Sequence, residues 1–294
     1  MKQLFRSILL VGFIFGAGQG SRAEDEMEPK PINMKSINTK ADETDPHPAS
    51  HSRILYYSSN AKKKWDLMIA GRRSTREMYK GARVVGGYIS TEADDRTAFI
   101  TPEGKYTQYL FFATKKDKNQ KNFDIYAAQR FRAGVALTAP TPLQSIATAE
   151  DEMHPWLTRD GLHLFFSRKT KLGWQIMYTS RARALGALGF AEPKVIKDFP
   201  TGFRCPTLTP DSKTIFMEGP VAKGRYGIYV SKRSGGKWSR PQPINLNQEK
   251  SKIGERSPCL SRSGAWLYFA SDREGGQGGL DIWIVRTSKL KVKK

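Results

Sequence analysis

Four carboxylates recur at intervals near fifty residues, or twice that: Glu43, Asp95, Glu152 and Glu255. Each lies three residues before a shared landmark (Pro46, Ala98, Pro155 and Pro258), and Phe203 holds the matching place before Pro206. A ring of acids can bind a cation, a basic peptide or a sugar. Two of them can also divide acid and base work, because closely held carboxylates raise one another's pKa unless something pairs with them. Asp95, Glu152 and Glu255 are the candidates for such a catalytic pair. The bland alternative is that each acid is neutralised locally, and Arg96, Arg204 and Arg256 stand one residue further along.

A second constellation follows the same landmarks. His154 and Cys205 precede a proline, and His47 and Cys259 follow one. These residue types suit zinc or a thiol–imidazole dyad. No CxxC or HExxH spacing accompanies them, so the repeat sets their positions, and no metal or cofactor is implied. Cys205 and Cys259 sit in neighbouring units and could join as a disulfide if their Cα atoms came within about 7 Å. No GxSxG, P-loop or dinucleotide fingerprint is present. Gly275 to Gly279, between Asp272 and Asp281, reads as a wide turn between strands rather than a calcium loop.

Short apolar strands must position these residues. The runs ILYYS from Ile54, YLFFA from Tyr109, HLFFS from His163, TIFME from Thr214 and WLYFA from Trp266 are versions of one strand. Leu55, Leu110, Leu164, Ile215 and Leu267 within them are 55, 54, 51 and 52 residues apart. A further strand follows each: WDLMIA from Trp65, FDIYAA from Phe123, WQIMYT from Trp174, YGIYVS from Tyr226 and LDIWIV from Leu280. No helical period competes. A unit of about fifty residues holding only strands cannot bury its own apolar face, which implies a radial array of four-stranded blades.

Tight turns precede the first of these runs: TPEG at 101–104, TRDG at 158–161, TPDS at 209–212 and SRSG at 261–264. With the proline six residues before the last turn residue, they resemble the SPDG turns of the WD40-like repeats in TolB-type propellers. The S-D-R-x-G…D-I-W run of the fifth unit is similar to that family too. The likeness covers about residues 30 to 288 and implies an all-β propeller, a class that often carries an acid at the channel mouth. Lys30-Pro31-Ile32-Asn33 also matches Gln242-Pro243-Ile244-Asn245, the fourth strand of unit four, whereas unit five stops after its third strand. The expected fold is therefore a five-bladed β-propeller of four-stranded antiparallel blades, with residues 31–37 completing the last blade and closing the ring.

Residues 1–23 read as a signal peptide, with Lys2 and Arg6, an apolar run from Ile8 to Phe15 and a Ser21-Arg22-Ala23 cleavage site. The apolar run is too short to span a membrane. Residues 24–30 read as a flexible lead-in, 31–288 as a single propeller domain and 289–294 as a basic tail. The expected product is a periplasmic or secreted monomer. Its net charge of +21 falls to +18 without Lys2, Arg6 and Arg22. Such a field favours anionic partners. Lys115, Lys116, Lys118, Arg168 and Lys169 should stand on the same rim as Glu43, Asp95, Glu152 and Glu255. The function expected from this is a non-enzymatic envelope scaffold that docks an envelope protein, lipopolysaccharide or peptidoglycan rather than nucleic acid. The alternative is a glycoside hydrolase or lyase, because five-bladed propellers resembling arabinanases use carboxylates in this funnel.

Overall fold

Alternating apolar side chains and turn residues build the strands where the repeat places them. The computed structural model describes residues 29–293 apart from 102–106, 117–118, 132–134, 184–188 and 249. Residues 1–28, Lys118 and most of the TPEG turn thus lie outside the described residues. Blade 1 is Glu43–Ala49, Ile54–Ser59, Asp66–Gly71 and Lys80–Val84. Blade 2 is Asp95–Ile100, Gln108–Thr114, Asp124–Arg130 and Thr141–Pro142. Blade 3 is Asp151–Leu157, His163–Thr170, Gly173–Ser180 and Lys194–Val195. Blade 4 is Arg204–Leu208, Thr214–Pro220 and Tyr226–Ser234, against which both Lys237–Trp238 and Gln242–Pro243 pair. Blade 5 is Glu255–Leu260, Trp266–Ser271 and Asp281–Arg286, and its fourth strand is the N-terminal Ile32–Asn33. The strands within each blade pair antiparallel, and the fold is a five-bladed all-β propeller.

The core lies between blades. Tyr56 and Val85 of blade 1 share one apolar cluster with Ile100, Leu110 and Phe112 of blade 2, and similar clusters join the other neighbours. The central aromatics of the second strands, Tyr56, Phe111, Phe165, Phe216 and Tyr268, are all buried.

Closure rests on a polar clasp as well as a strand. Asn33 donates to the Asp281 carboxylate at 2.8 Å, and Asn38 donates to Asn33 at 2.9 Å. Asn38 also accepts from the Ile282 amide and donates to its carbonyl, at 2.9 and 3.0 Å. The match of Ile32-Asn33 to Ile244-Asn245 is two residues out of structural register. Met34 and Ile244 are the equivalent residues, each donating its amide to the third strand of its blade (Ile282 and Ile228). Loops leaving the fourth strands differ in length, so a count back from the next proline does not preserve register. The C-terminal segment is also anchored: Val292 bridges Ile244, and Lys293 donates its amide to the Pro243 carbonyl. Gly278 and Gly279 press on the backbone of Thr39 to Ala41 and on Asp42, where a Cβ would not fit. The glycine-rich loop is a packing joint between blades 5 and 1.

Two outcomes follow. Removing residues 24–38 strips blade 5 of a strand and exposes a sheet edge, so the truncated chain should melt well below the full one and self-associate in sedimentation. Phe165→Ala should cost about 3 to 5 kcal/mol in denaturant unfolding; a change under about 1 kcal/mol would show that this side chain is not core.

Candidate functional site

Each inner strand breaks its pairing at one point. The register shifts between Thr44 and His47, Arg96 and Phe99, Met153 and Trp156, Arg204 and Thr207, and Arg256 and Cys259. These are β-bulges, which re-aim a side chain. At each bulge one residue adopts left-handed φ: Asp45 at 52°, Thr97 at 56°, His154 at 56°, Cys205 at 54° and Ser257 at 47°. None is glycine, so each conformation costs on the order of 1 to 3 kcal/mol. Together these residues line a channel segment of about 40 Å³, room for roughly a water molecule or two.

Two carboxylates stand in this ring. Asp45 accepts from Arg96 at 2.9 Å, from Thr44 at 3.0 Å and from the Ser257 hydroxyl at 2.7 Å. His154 lies 3.8 Å from it, and His154 Nδ1 is buried without a partner among the described residues. Glu218, from the second strand of blade 4, accepts from Arg204 at 2.7 Å, from Arg256 at 3.2 Å and from the Ser257 amide at 3.0 Å. Burial alone would raise both carboxyls. The guanidinium of Arg96 instead holds Asp45 well below the carboxylate range, and Arg204 and Arg256 bring Glu218 down to about 2. Burial lowers His154 to about 3 and keeps it neutral. The arginines are braced by aromatic rings: Arg96 lies 3.8 Å over Trp65, Arg204 4.9 Å over Tyr226, and Arg256 4.5 Å over the same tyrosine.

The acids singled out by spacing take a different position. Glu43, Asp95, Glu152 and Glu255 have no exposed surface. Glu43 binds the amide and hydroxyl of Thr39 and the hydroxyl of Ser59. Asp95 binds Thr91 in the same way. Glu152 takes Thr148 and Arg168, the latter at 2.7 Å. Glu255 takes Gln248, Ser271 and Arg273, the last at 3.0 Å. Each ties the incoming loop to the second strand of its own blade. Burial raises all four, and Glu152 reaches about 7. The structure does not bring them together on the axis. On the basic rim, Lys115 pairs with Asp94 at 3.1 Å, Arg168 is spent on Glu152, and Lys116 and Lys169 are exposed.

His47 and Cys259 do meet, with Sγ 3.6 Å from Nδ1, but burial lifts the thiol far above neutrality and lowers the imidazole to about 4. Both cysteines are free. No group of three or more metal-ligating side chains occurs among the described residues. Sequence reasoning missed Asp45 and Glu218, although each left a signal. Asp45 holds the position before proline that drew attention to His154 and Cys205. Glu218 is the one charged residue in a column otherwise filled by Ser58, Ala113, Ser167 and Ala270.

No protein-family model matches this sequence, and no curated protein matches it. Solved structures do match in fold. A thermostable family-43 glycoside hydrolase aligns at 12% identity with a TM-score of 0.62, covering 90% of this chain and 96% of that one. The endo-arabinase from Bacteroides thetaiotaomicron aligns at 12% identity and 0.60, covering 90% and 98%. A TolB protein from Agrobacterium tumefaciens aligns at 11% identity and 0.53, covering 90% and 87%. At such identity the likeness establishes the fold alone. It also corrects the reading of the chain as a TolB-like non-enzymatic scaffold. That reading rested on the TolB-like repeat and the basic rim, whereas most of these similar structures are five-bladed glycoside hydrolases.

The opposed shifts set a pH profile. A carboxyl raised by folding stabilises the native state while it keeps its proton, so the contribution of Glu152 is lost as pH rises from its ordinary 4.5 through about 7. Asp45 and Glu218 act oppositely, and their contribution is lost as pH falls below about 4 towards 2. Glu152→Gln, a fixed mimic of the protonated acid, should fold normally and flatten the decline in melting temperature between pH 5 and 8. The acid-side collapse should remain.

Proposed function

We propose that the chain is a carbohydrate-active enzyme that hydrolyses glycosides whose leaving group departs as a stable anion, with the attacking water held in the axial channel, the sugar at its mouth, and Asp45 and Glu218 as its carboxylate pair. The observation that carries this reading is that one serine holds both ionised groups, Asp45 through Oγ and Glu218 through N. Two hydrogen bonds and one residue separate them by no more than about 9 Å, within the range that glycosidases use across a scissile bond. The fold shared with an α-L-arabinofuranosidase, a β-xylosidase and an endo-arabinase supports the same reaction class.

Depressed pKa values confine both carboxylates to ionised roles. Asp45, which lines the channel, is the group placed to activate water, and Glu218, fully buried behind the Ser257 amide, acts through space on positive charge that develops on the sugar ring. Neither can protonate a leaving group. Residues 1–23 direct export in this reading, which puts the substrate outside the cytoplasm. The turns resemble those of TolB-type repeats, and solved TolB structures share the propeller fold, a likeness that does not decide the role.

The chemistry names the first substrates to try. Nitrophenyl arabinosides and xylosides release an anion that needs no proton, so they should turn over where alkyl glycosides do not. Asp45→Asn and Glu218→Gln should each lower the rate by about 10² or more. Both variants break a buried ion pair at a cost of about 3 to 5 kcal/mol, so rates are compared below each variant's melting transition. A wild-type protein inert across the panel, or folded variants with full activity, would overturn the assignment.

A further inference from the structure

The far end of the channel opens into a cavity. Where first and second strands turn, all five blades contribute to a cup of about 300 Å³, the lower end of the range for ligand pockets. One wall is aromatic. Phe99 and Trp156 meet edge to face at 5.2 Å, and His47 packs 4.7 Å from Phe99 at the floor. This contact fixes the indole, which stays half-buried and finds no acceptor for its N–H among the described residues. Thr107, Ser212 and the Tyr109 hydroxyl also face the cup with no side-chain hydrogen bond there. A flat apolar wall beside uncommitted hydroxyls and an N–H suits a pyranose ring better than a purely apolar ligand.

The rim supplies the charge. Arg159 and Arg262 are exposed, make no ion pair among the described residues, and line both this cup and a second cavity of about 810 Å³ on the same face. Arg72, Arg76 and Arg286 line the second cavity. The acid at the cup is Asp160, whose carboxylate is taken by the Thr158 hydroxyl at 2.6 Å and the Leu162 amide at 3.0 Å. With Glu77 the one other acid lining either cavity among the described residues, arginines outnumber acids on this face, and a planar guanidinium there can take a carboxylate with two parallel hydrogen bonds.

We propose that this cup binds an acidic sugar, with the ring of a hexuronate against Trp156 and its carboxylate on Arg159 and Arg262. The inference stands on a different face from Asp45 and Glu218 and does not rest on their role. Binding is read by tryptophan emission and calorimetry with galacturonate and glucuronate dimers and trimers at low salt. Acidic oligomers should bind at least about tenfold more tightly than neutral ones of equal length, a difference of about 1.4 kcal/mol, and added salt should erase the preference. Arg159→Glu and Arg262→Glu should each weaken acidic sugars about tenfold at unchanged melting temperature, whereas Asp45→Asn should leave this affinity alone. Equal affinity for neutral and acidic sugars, no binding of either at millimolar concentration, or tighter capture of single-stranded DNA than of uronates would each overturn the proposal.

Discussion

One backbone constraint organises the centre of this molecule: a non-glycine residue in left-handed conformation on every inner strand. The bulge frees the amide of that residue from its own sheet, and the amide must find an acceptor elsewhere. Three blades find it on the second strand of the preceding blade. Thr97 donates to Ser58, Cys205 to Ser167 and Ser257 to Glu218, at 3.2, 2.9 and 3.0 Å. In blade 3 the preceding position is Ala113, which has no acceptor, and His154 turns to the Thr97 hydroxyl at 3.2 Å. Strain on the axis is thus repaid by bonds between blades, beside the apolar clusters that hold the blades face to face. The residue in the Ser58 column therefore belongs to the ring, and a buried carboxylate joins it when that residue is Glu218.

Two populations of buried acid follow. Asp45 and Glu218 each meet arginine from a neighbouring blade (Arg96 and Arg256), so their charges hold the ring together and stay ionised. The others are tied mostly by hydroxyls and amides of their own blade, and desolvation prevails over these partners. Arg168 and Arg273 soften the effect at Glu152 and Glu255 without reversing it. The same side-chain type thus serves as a permanent anion on the axis and, a few residues away, as a strut whose carboxyl is raised by burial. Partner geometry decides which.

Much of the architecture was legible in the sequence. Recurrence near fifty residues, the aromatic of each second strand and the missing fourth strand of unit five all followed from period-two alternation and length. The chemistry of the axis was hidden by the bulge. Counting back from Pro46 or Pro155 assumes an unbroken pleat, and one extra residue transfers the side chains beyond it to the other face. Glu43 and Glu152 were therefore expected in the channel that Asp45 and His154 occupy. The basic rim was misjudged for another reason. A lysine run shows charge but not its partner, and Lys115 is held by Asp94 from the preceding loop.

The ring explains why the two ends of the channel differ. Above the bulges, toward the loops that enter the blades, arginine and carboxylate are matched and braced by Trp65 and Tyr226. Below them, His47 and Trp156 form a floor shared by the axial segment and the cup. At the hairpin turns Arg262 has no acid in its own turn, and Asp160 beside Arg159 is turned to the Thr158 hydroxyl and the Leu162 amide, so neither arginine makes an ion pair among the described residues. A strained but well-bonded ring thereby separates a charge-compensated centre from an uncompensated rim. Tuning one end by substitution in the turns leaves the bonds between blades untouched, which gives a repeat fold of this kind room to alter ligand preference without losing closure.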